Sequence, residues 1–303
     1  MSEFRKVAYG MILLLLAVGL ASAQESVTTT IQLPDGRTAP LTFTTIDVPG
    51  AGATSIEGIN SAGDLVGYYG TTGDGPYHGF LLRGETFTFF DYPGAESTIV
   101  GKINDAGVIV GHAHFPSGLY LGFSYDGATF TQIRIGRMPL TFCHGINGAG
   151  YVVGGAGTSD TRAFELRGSR FKMINFPGSY FFAYGTGINK FNAVAGWTTD
   201  GVNTHGYKFS HGTFSQIDFP DAQETEAWDI NDRGVVVGWY SKGAFAYGFA
   251  LINGRYTSVT YPGAVYTIPR AISSSGQIVG EYTLDYSTYN GFVTSPVPLG
   301  ALQ

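Results

Sequence analysis

Six near-copies of one phrase constrain this chain more than any other feature. "GINSAGDLVGYY" at residues 58–69 returns as "KINDAGVIVGHA", "GINGAGYVVGGA", "GINKFNAVAGWT", "DINDRGVVVGWY" and "AISSSGQIVGEY". The anchor isoleucines are Ile59, Ile103, Ile146, Ile188, Ile230 and Ile272, spaced by 42 to 44 residues. A unit of that length cannot bury its apolar face alone, so neighbouring copies must share a core.

Two more phrases recur with the first. "HGFLL", "LGFSY", "RAFEL", "HGYKF", "YGFAL" and "NGFVT" follow it, and "FTTIDVPG", "FTFFDYPG", "FTQIRIGR", "FKMINFPG", "FSQIDFP" and "YTSVTYPG" precede it. Each copy therefore holds four short β-like runs bounded by turn residues. The first turn carries Gly63, Gly107, Gly150, Gly234 or Gly276, and Asn192 in the fourth copy. These residue types best tolerate positive φ, so the position predicts a left-handed backbone closing a tight hairpin. No helical period appears past the first two dozen residues.

Four strands in about 42 residues, six times over, predict an all-β chain folded as a six-bladed β-propeller with four-stranded blades. The strands of a blade are A (through the anchor isoleucine), B, C and D. The repeats open on a D strand, "LTFTTIDVPG", and end on a C strand, "GFVTSPV". The N-terminal strand should thus complete the last blade and close the ring, leaving only short outer edges. The expected propeller spans 41–297, with a tail at 298–303. Residues 24–40 form a lead segment, either flexible or an extra strand.

These phrases resemble the extracellular HAF-type repeat of exported bacterial proteins over roughly residues 42–295. "HGF" at 78–80 and "HGY" at 205–207 sit in its signature place, whereas "RAF" at 162–164 and "IRIGR" at 133–137 depart from it. The third blade is accordingly expected to be irregular. The resemblance implies an exported repeat protein and attaches no reaction to it.

The N-terminus reads the same way. Arg5 and Lys6 precede "MILLLLAVGLA", and "ASA" at 21–23 supplies small residues before a cut, so residues 1–23 are expected to be a signal peptide and the mature chain secreted, extracellular or periplasmic. The apolar run is short for a membrane span, and no cysteine follows the cut to carry a lipid, so no membrane anchor is expected. The single cysteine, Cys143, shares its repeat position with Ile56, Val100 and Ala227 and belongs to the core. With no disulfide available, packing must supply stability. The chain is 44% apolar and 15% aromatic, ample for that purpose, and a monomer is expected. A net charge of −6 without any Lys/Arg-rich run excludes a general nucleic-acid binder. No Walker loop, dinucleotide fingerprint or nucleophile motif is present, and no cofactor is expected.

Repeated positions carry the fold, so candidate functional residues are those that vary while their neighbours hold still. Two residues before the anchor the copies read Glu57, Gly101, His144, Thr186, Trp228 and Arg270; just after the B-strand glycine they read Tyr68, His112, Gly155, Trp197, Trp239 and Glu281. The two sets lie eleven residues apart and should face each other across strands A and B, or miss by one. Both lie at the end of the blade that carries the diverse B-to-C loops, from "GTTGDGPY" to "TLDYST". Loops on a rigid scaffold carry function, so the ligand-binding candidates are Glu57, Tyr68, His112, His144, Trp197, Trp228, Trp239, Arg270 and Glu281.

Each candidate also has a structural reading. Trp228 and Trp239 suit a sugar platform, but as a cross-strand pair they more simply pack on each other. Arg270 and Glu281 make an ordinary ion pair. Glu57 and Glu281 could supply the two carboxylates of glycoside chemistry. His112, His114 and His144 have ligand chemistry for a metal, yet water-bonded surface histidines are commoner and no metal is expected. His78 and His205 belong to the repeat and predict a structural hydrogen bond, and Asp47, Asp91, Asn175 and Asp218 read as turn residues. The sequence thus points to an exported propeller that binds a glycan or another protein on its variable face. The alternative is a secreted polysaccharide-active hydrolase or lyase using the same face.

Overall fold

A computed structural model describes residues 25–178 and 181–298; the expected signal peptide lies outside the described residues. Two strands open the chain, β1 (Ser26–Gln32) and β2 (Thr38–Ile46). Blade 1 is β3 (Ala53–Ile59), β4 (Leu65–Gly70), β5 (Tyr77–Arg83) and β6 (Thr86–Phe90). Blade 2 is β7 (Ser97–Ile103), β8 (Ile109–His114), β9 (Tyr120–Tyr125) and β10 (Phe130–Ile133). Blade 3 is β11 (Leu140–Ile146), β12 (Val152–Gly157), β13 (Thr161–Arg167) and β14 (Arg170–Ile174). Blade 4 is β15 (Phe182–Ile188), β16 (Val194–Thr199), β17 (Thr204–Ser210) and β18 (Thr213–Ile217). Blade 5 is β19 (Glu224–Ile230), β20 (Val236–Lys242), β21 (Phe245–Ile252) and β22 (Arg255–Ser258). Blade 6 has only β23 (Tyr266–Ile272), β24 (Ile278–Thr283) and β25 (Asn290–Thr294) from this end of the chain.

The missing outer strand of blade 6 is β2, which pairs antiparallel with β25 from Phe43↔Thr294 to Ile46↔Gly291. The chain is a six-bladed β-propeller. Part of the lead segment is a further strand, β1, which pairs with β2 along its whole length and gives blade 6 a fifth strand. Parallel bridges link the A strands of blades 3 to 6 to the C strand before each, at Leu140↔Tyr120, Phe182↔Thr161, Glu224↔Thr204 and Tyr266↔Ala246. The same bridge, Ala53↔Tyr289, joins the last blade to the first. Between blades 1 and 2 a side chain takes its place, the Tyr77 N–H donating to Ser97 Oγ at 3.1 Å.

Turn chemistry explains why the phrase repeats. Gly63, Gly107, Gly150, Gly234 and Gly276 have φ between 76° and 96°, and Asn192 has φ 61°, as the sequence required. The asparagine after the anchor isoleucine organises the same hairpin. Oδ1 of Asn104, Asn147, Asn189 and Asn231 each accepts two backbone N–H groups of its own turn. Their Nδ2 atoms donate to the carbonyl of the corresponding residue in the next blade, Asn147, Asn189, Asn231 and Ser273 in turn. One side chain thereby closes a turn and ties two blades together.

The B-strand glycine has a different cause. A Cβ on Gly67, Gly111, Gly154, Gly196, Gly238 or Gly280 would lie 1.8–2.4 Å from an A-strand carbonyl oxygen. Opposite each, strand A carries an irregularity in register, and only glycine leaves room for the carbonyl displaced there.

The core is six slabs, one between each pair of neighbouring blades. Phe80, Phe123, Phe164, Tyr207, Phe249 and Phe292, the aromatic residue of each C-strand phrase, are all completely buried. Each contributes roughly 1.5–3 kcal/mol of apolar burial. The closing slab puts Ile46, Val48, Ile56, Leu65 and Phe80 against Ala271 and Val279. Cys143 is buried in the slab between blades 2 and 3. Blade 3 departs from the pattern at its D-to-A link. Thr54, Thr98, Thr225 and Thr267 accept the N–H six residues earlier, whereas the equivalent Thr141 hydroxyl is buried without a partner.

Candidate functional site

The six variable A-strand residues share one geometry. Glu57, His144, Thr186, Trp228 and Arg270 are each skipped in the A–B register, and in blade 2 Gly101 and Lys102 are skipped together. A bulge re-aims the side chain it frees. The expectation that these residues face the B-strand set, or miss by one, is corrected here. The true partners are two residues earlier, thirteen apart from their B-strand neighbours, as Ser55↔Tyr68, Ile99↔His112, Tyr184↔Trp197, Glu226↔Trp239 and Ile268↔Glu281.

Blades 5, 6 and 1 bring their candidates into one charged cluster. Arg270 donates from Nη2 to Glu281 Oε1 at 2.6 Å, the expected ion pair. Its Nε lies 3.4 Å from Glu57 Oε1, so the guanidinium also bridges to the first blade. The Arg270 side chain is only 13% exposed. Burial works against its charge, but the flanking carboxylates of Glu57 and Glu281 more than offset it and raise its pKa. Burial pushes the Glu57 carboxyl up, with Arg270 pulling against it. Ser55 Oγ donates to the same Glu57 oxygen at 2.7 Å, and Tyr68, opposite Ser55, packs edge-on against Tyr77.

Trp228 and Trp239 do not stack on each other. Both indole N–H groups converge on Glu226 Oε2, at 2.9 and 3.1 Å. Arg270 covers one Trp228 face, and among the described residues no ring packs on Trp239. Burial lifts the Glu226 pKa to about 7 against the pull of both indoles and Arg270. Below them Lys102 is buried, its Nζ donating to the backbone carbonyls of Arg270 at 2.8 Å and Glu57 at 3.3 Å. Asp229 Oδ2 accepts the Ile272 N–H at 3.0 Å from the adjoining blade. The sequence reading missed Glu226, Lys102 and Asp229. Glu226 was legible only through the bulge, which puts it opposite Trp239.

Blades 2 to 4 carry the aromatic half of the same face. His112 lies 5.6 Å from His144 and 5.0 Å from Phe142, centroid to centroid. Tyr184 touches His144 at 5.6 Å and Trp197 at 4.7 Å, extending the wall into blade 4. His112 is 7% exposed, its Nδ1 has no partner, and burial depresses its pKa to about 3. Burial also holds His144 well below the usual imidazole range. In both rings burial favours the neutral form. His114 stacks on Tyr120, which His112 also meets at 6.0 Å, and lies 3.4 Å from Glu96. The three histidines therefore do not converge, and among the described residues no group of three or more His, Cys, Asp or Glu is placed to hold a metal. Trp197 has a buried N–H without a partner among the described residues, because Tyr184 occupies the place that Glu226 holds in blade 5.

The repeat histidines do make structural bonds. His78 Nδ1 lies 2.9 Å from Asp91 Oδ2, and His205 Nδ1 lies 2.9 Å from Asp218 Oδ1. These D-strand aspartates are thus blade fasteners as well as turn residues. Asp47, whose blade has Asn290 at that place, accepts the Gly291 N–H instead.

Two depressions open on other faces of the molecule. One of about 240 Å³ opens on the turn face and is rimmed by the asparagine ring, with Lys102 and Asp229 in its lining. Another of about 610 Å³ runs between β1 and β22, where Arg255 Nη1 donates to the Pro34 carbonyl at 2.7 Å. Its lining brings no carboxylate, histidine or thiol except Asp35, which is engaged by Arg37. The chemistry gathers at the variable face.

No family model matches the chain, and no curated protein does, so the HAF-type resemblance rests on its motifs alone. Solved structures do match. The β-propeller domain of the Trilobed protease from Pyrococcus furiosus is 9% identical, with 92% of each chain covered and a TM-score of 0.54. A gluconolactonase from Xanthomonas campestris is 12% identical, with 91% of this chain and 96% of that chain covered and a TM-score of 0.53. A fucose-specific lectin from Aleuria aurantia is 11% identical, with 84% and 97% covered and a TM-score of 0.51. The likeness is one of fold. At such identity the propeller is shared and the site residues are this chain's own.

Proposed function

We propose that this protein is an exported propeller of the HAF-repeat type that binds a glycan on its variable face. The observation that carries the reading is Trp239, a partly exposed indole with no ring upon it, held by its N–H against the Glu226 carboxylate. A fixed aromatic face beside a hydrogen-bond acceptor is what a sugar ring requires, since one side of the sugar is apolar and its rim is polar. Trp228 adds an indole in the same blade and Trp197 one in the adjoining blade. The propellers of similar fold include a lectin and a lactonase, and fold does not choose between binding and catalysis.

Binding is favoured over hydrolysis by the state of the two carboxylates that the sequence offered for glycoside chemistry. Glu57 and Glu281 both engage Arg270, so neither resembles a carboxyl free to give or take a proton at a glycosidic oxygen. The test is a glycan array run beside a reducing-end assay on the purified protein. Saturable binding lost in Trp239→Ala, without turnover, is expected. Turnover abolished by loss of one carboxylate would replace the reading with the enzymatic one.

A further inference from the structure

The two halves of the variable face differ in charge, and the difference bears on which sugar the site takes. On this face blades 5, 6 and 1 set the carboxyl groups of Glu57, Glu226 and Glu281 around one guanidinium, Arg270, while Lys102 of blade 2 lies beneath them near Asp229. Arg270 is engaged by Glu57 and Glu281, and Lys102 lies toward Asp229 and the carbonyls below. Glu226 is left with two indole donors on Oε2 and no ion pair. Its Oε1 has no hydrogen-bond partner among the described residues. A half-buried carboxylate oxygen that no group among the described residues engages is open to a cationic partner.

Trp228 shows that an indole bonded to Glu226 can carry a cation on its face. Its ring carries the Arg270 guanidinium 4.0 Å from its centroid while its N–H reaches Glu226. Trp239 offers the same combination of indole face and Glu226 carboxylate, but nothing cationic covers it. An aromatic face beside a carboxylate recognises a protonated amine, by the ring quadrupole and by direct charge.

Resting on the glycan reading above, we infer that the ligand is an amino sugar bearing a free ammonium group, seated between the Trp239 ring and Glu226 Oε1. Arg270 from blade 6, Tyr184 from blade 4 and Glu224 on the same strand are the other groups that Glu226 senses. A seated cation would return to the charged form a carboxyl that burial lifts to about 7.

The experiment compares two tetrasaccharides of one backbone by calorimetry, tetra-glucosamine and its fully N-acetylated form, with tetralysine as a third arm. Tetra-glucosamine should bind about tenfold tighter than the acetylated tetramer, the scale of one partly desolvated cation–π and charge contact. Glu226→Gln keeps an oxygen for the indoles, so it should hold the melting temperature and bring the two affinities together. Equal or tighter binding of the acetylated tetramer, sensitive to Trp239→Ala, overturns the ammonium preference and leaves the glycan reading standing. Binding of tetralysine alone overturns both, and binding of none of the three overturns the amino-sugar assignment and leaves the glycan reading to the array. A preference that survives Glu226→Gln also overturns the assignment.

Discussion

The Arg270 guanidinium lies 4.0 Å from the centroid of the Trp228 ring, across the boundary between blades 6 and 5. The same group reaches Glu281 in its own blade and Glu57 in the first. One side chain thus touches three consecutive blades at the place where the ring closes.

Removing it should be costly for stability as well as for the site. Arg270→Met leaves Glu57 and Glu281 buried without a counter-charge, and the loss should be about 3–5 kcal/mol in guanidinium denaturation. Adding Glu57→Gln and Glu281→Gln to that variant should recover most of it. If the triple variant is no more stable than the single one, the guanidinium acts through packing and not through its charge.

The closing strand makes a second prediction. Deleting residues 41–49 removes the pairing of β2 with β25 and takes Leu41, Phe43, Ile46 and Val48 out of two core slabs. The product should unfold or oligomerise through the bared edge of β25. A monomer of unchanged melting temperature would contradict closure by this strand.

A third concerns the indoles. Trp239→Ala should weaken glycan binding by about 1–3 kcal/mol, and ligand should shift the intrinsic fluorescence of the parent protein. Asp105→Ala and Asp232→Ala provide the control. These aspartates accept N–H groups from Ser61 and Lys190 on the turn face, so their loss should lower stability modestly and leave affinity unchanged. A ligand whose affinity follows the turn variants and ignores Trp239 would place the site on the opposite face.

Asp47 predicts a pH dependence. Burial raises its carboxyl from 3.8 to about 6, so the folded protein holds this proton more tightly than the unfolded chain does. Its contribution to stability therefore falls as pH rises from about 4 to 6 and stays low above that. Asp47→Asn keeps an acceptor for the Gly291 N–H and carries no charge. At pH 7.5 it should be more stable than the parent by roughly 1–3 kcal/mol, and at pH 3.5 the two should melt together. Equal gains at both pH values would show that charge burial is not the cause.

The architecture could be read before any coordinates because its signals are local and occur six times. Positive φ at Gly63 and at Asn192 follows from turn chemistry within a few residues. The unpaired D strand at one end and the missing D at the other specify how the ring closes. What each residue of the site touches was not legible in this way. One bulge per A strand moves the facing partner of Trp239 to Glu226, and a bulge in these strands leaves no mark on apolar periodicity. His112 and His114, two apart on β8, looked like a pair by spacing; both pack on Tyr120, yet it is His112 that reaches His144.

By itself the sequence determined the repeat unit, the strand order, the left-handed turns and the face on which variation collects, since each depends on contacts within one unit or between identical neighbours. Only the tertiary structure decided that Arg270 serves Glu57 and Glu281 together, and that Lys102 caps carbonyls from blades 1 and 6. It also decided that one oxygen of Glu226 holds both indoles. Glu57 and Arg270 are 213 residues apart in the chain and meet only when the ring has closed. Ring closure sets that distance through the packing of all six blades, a sum of many side-chain volumes that no single copy of the repeat contains.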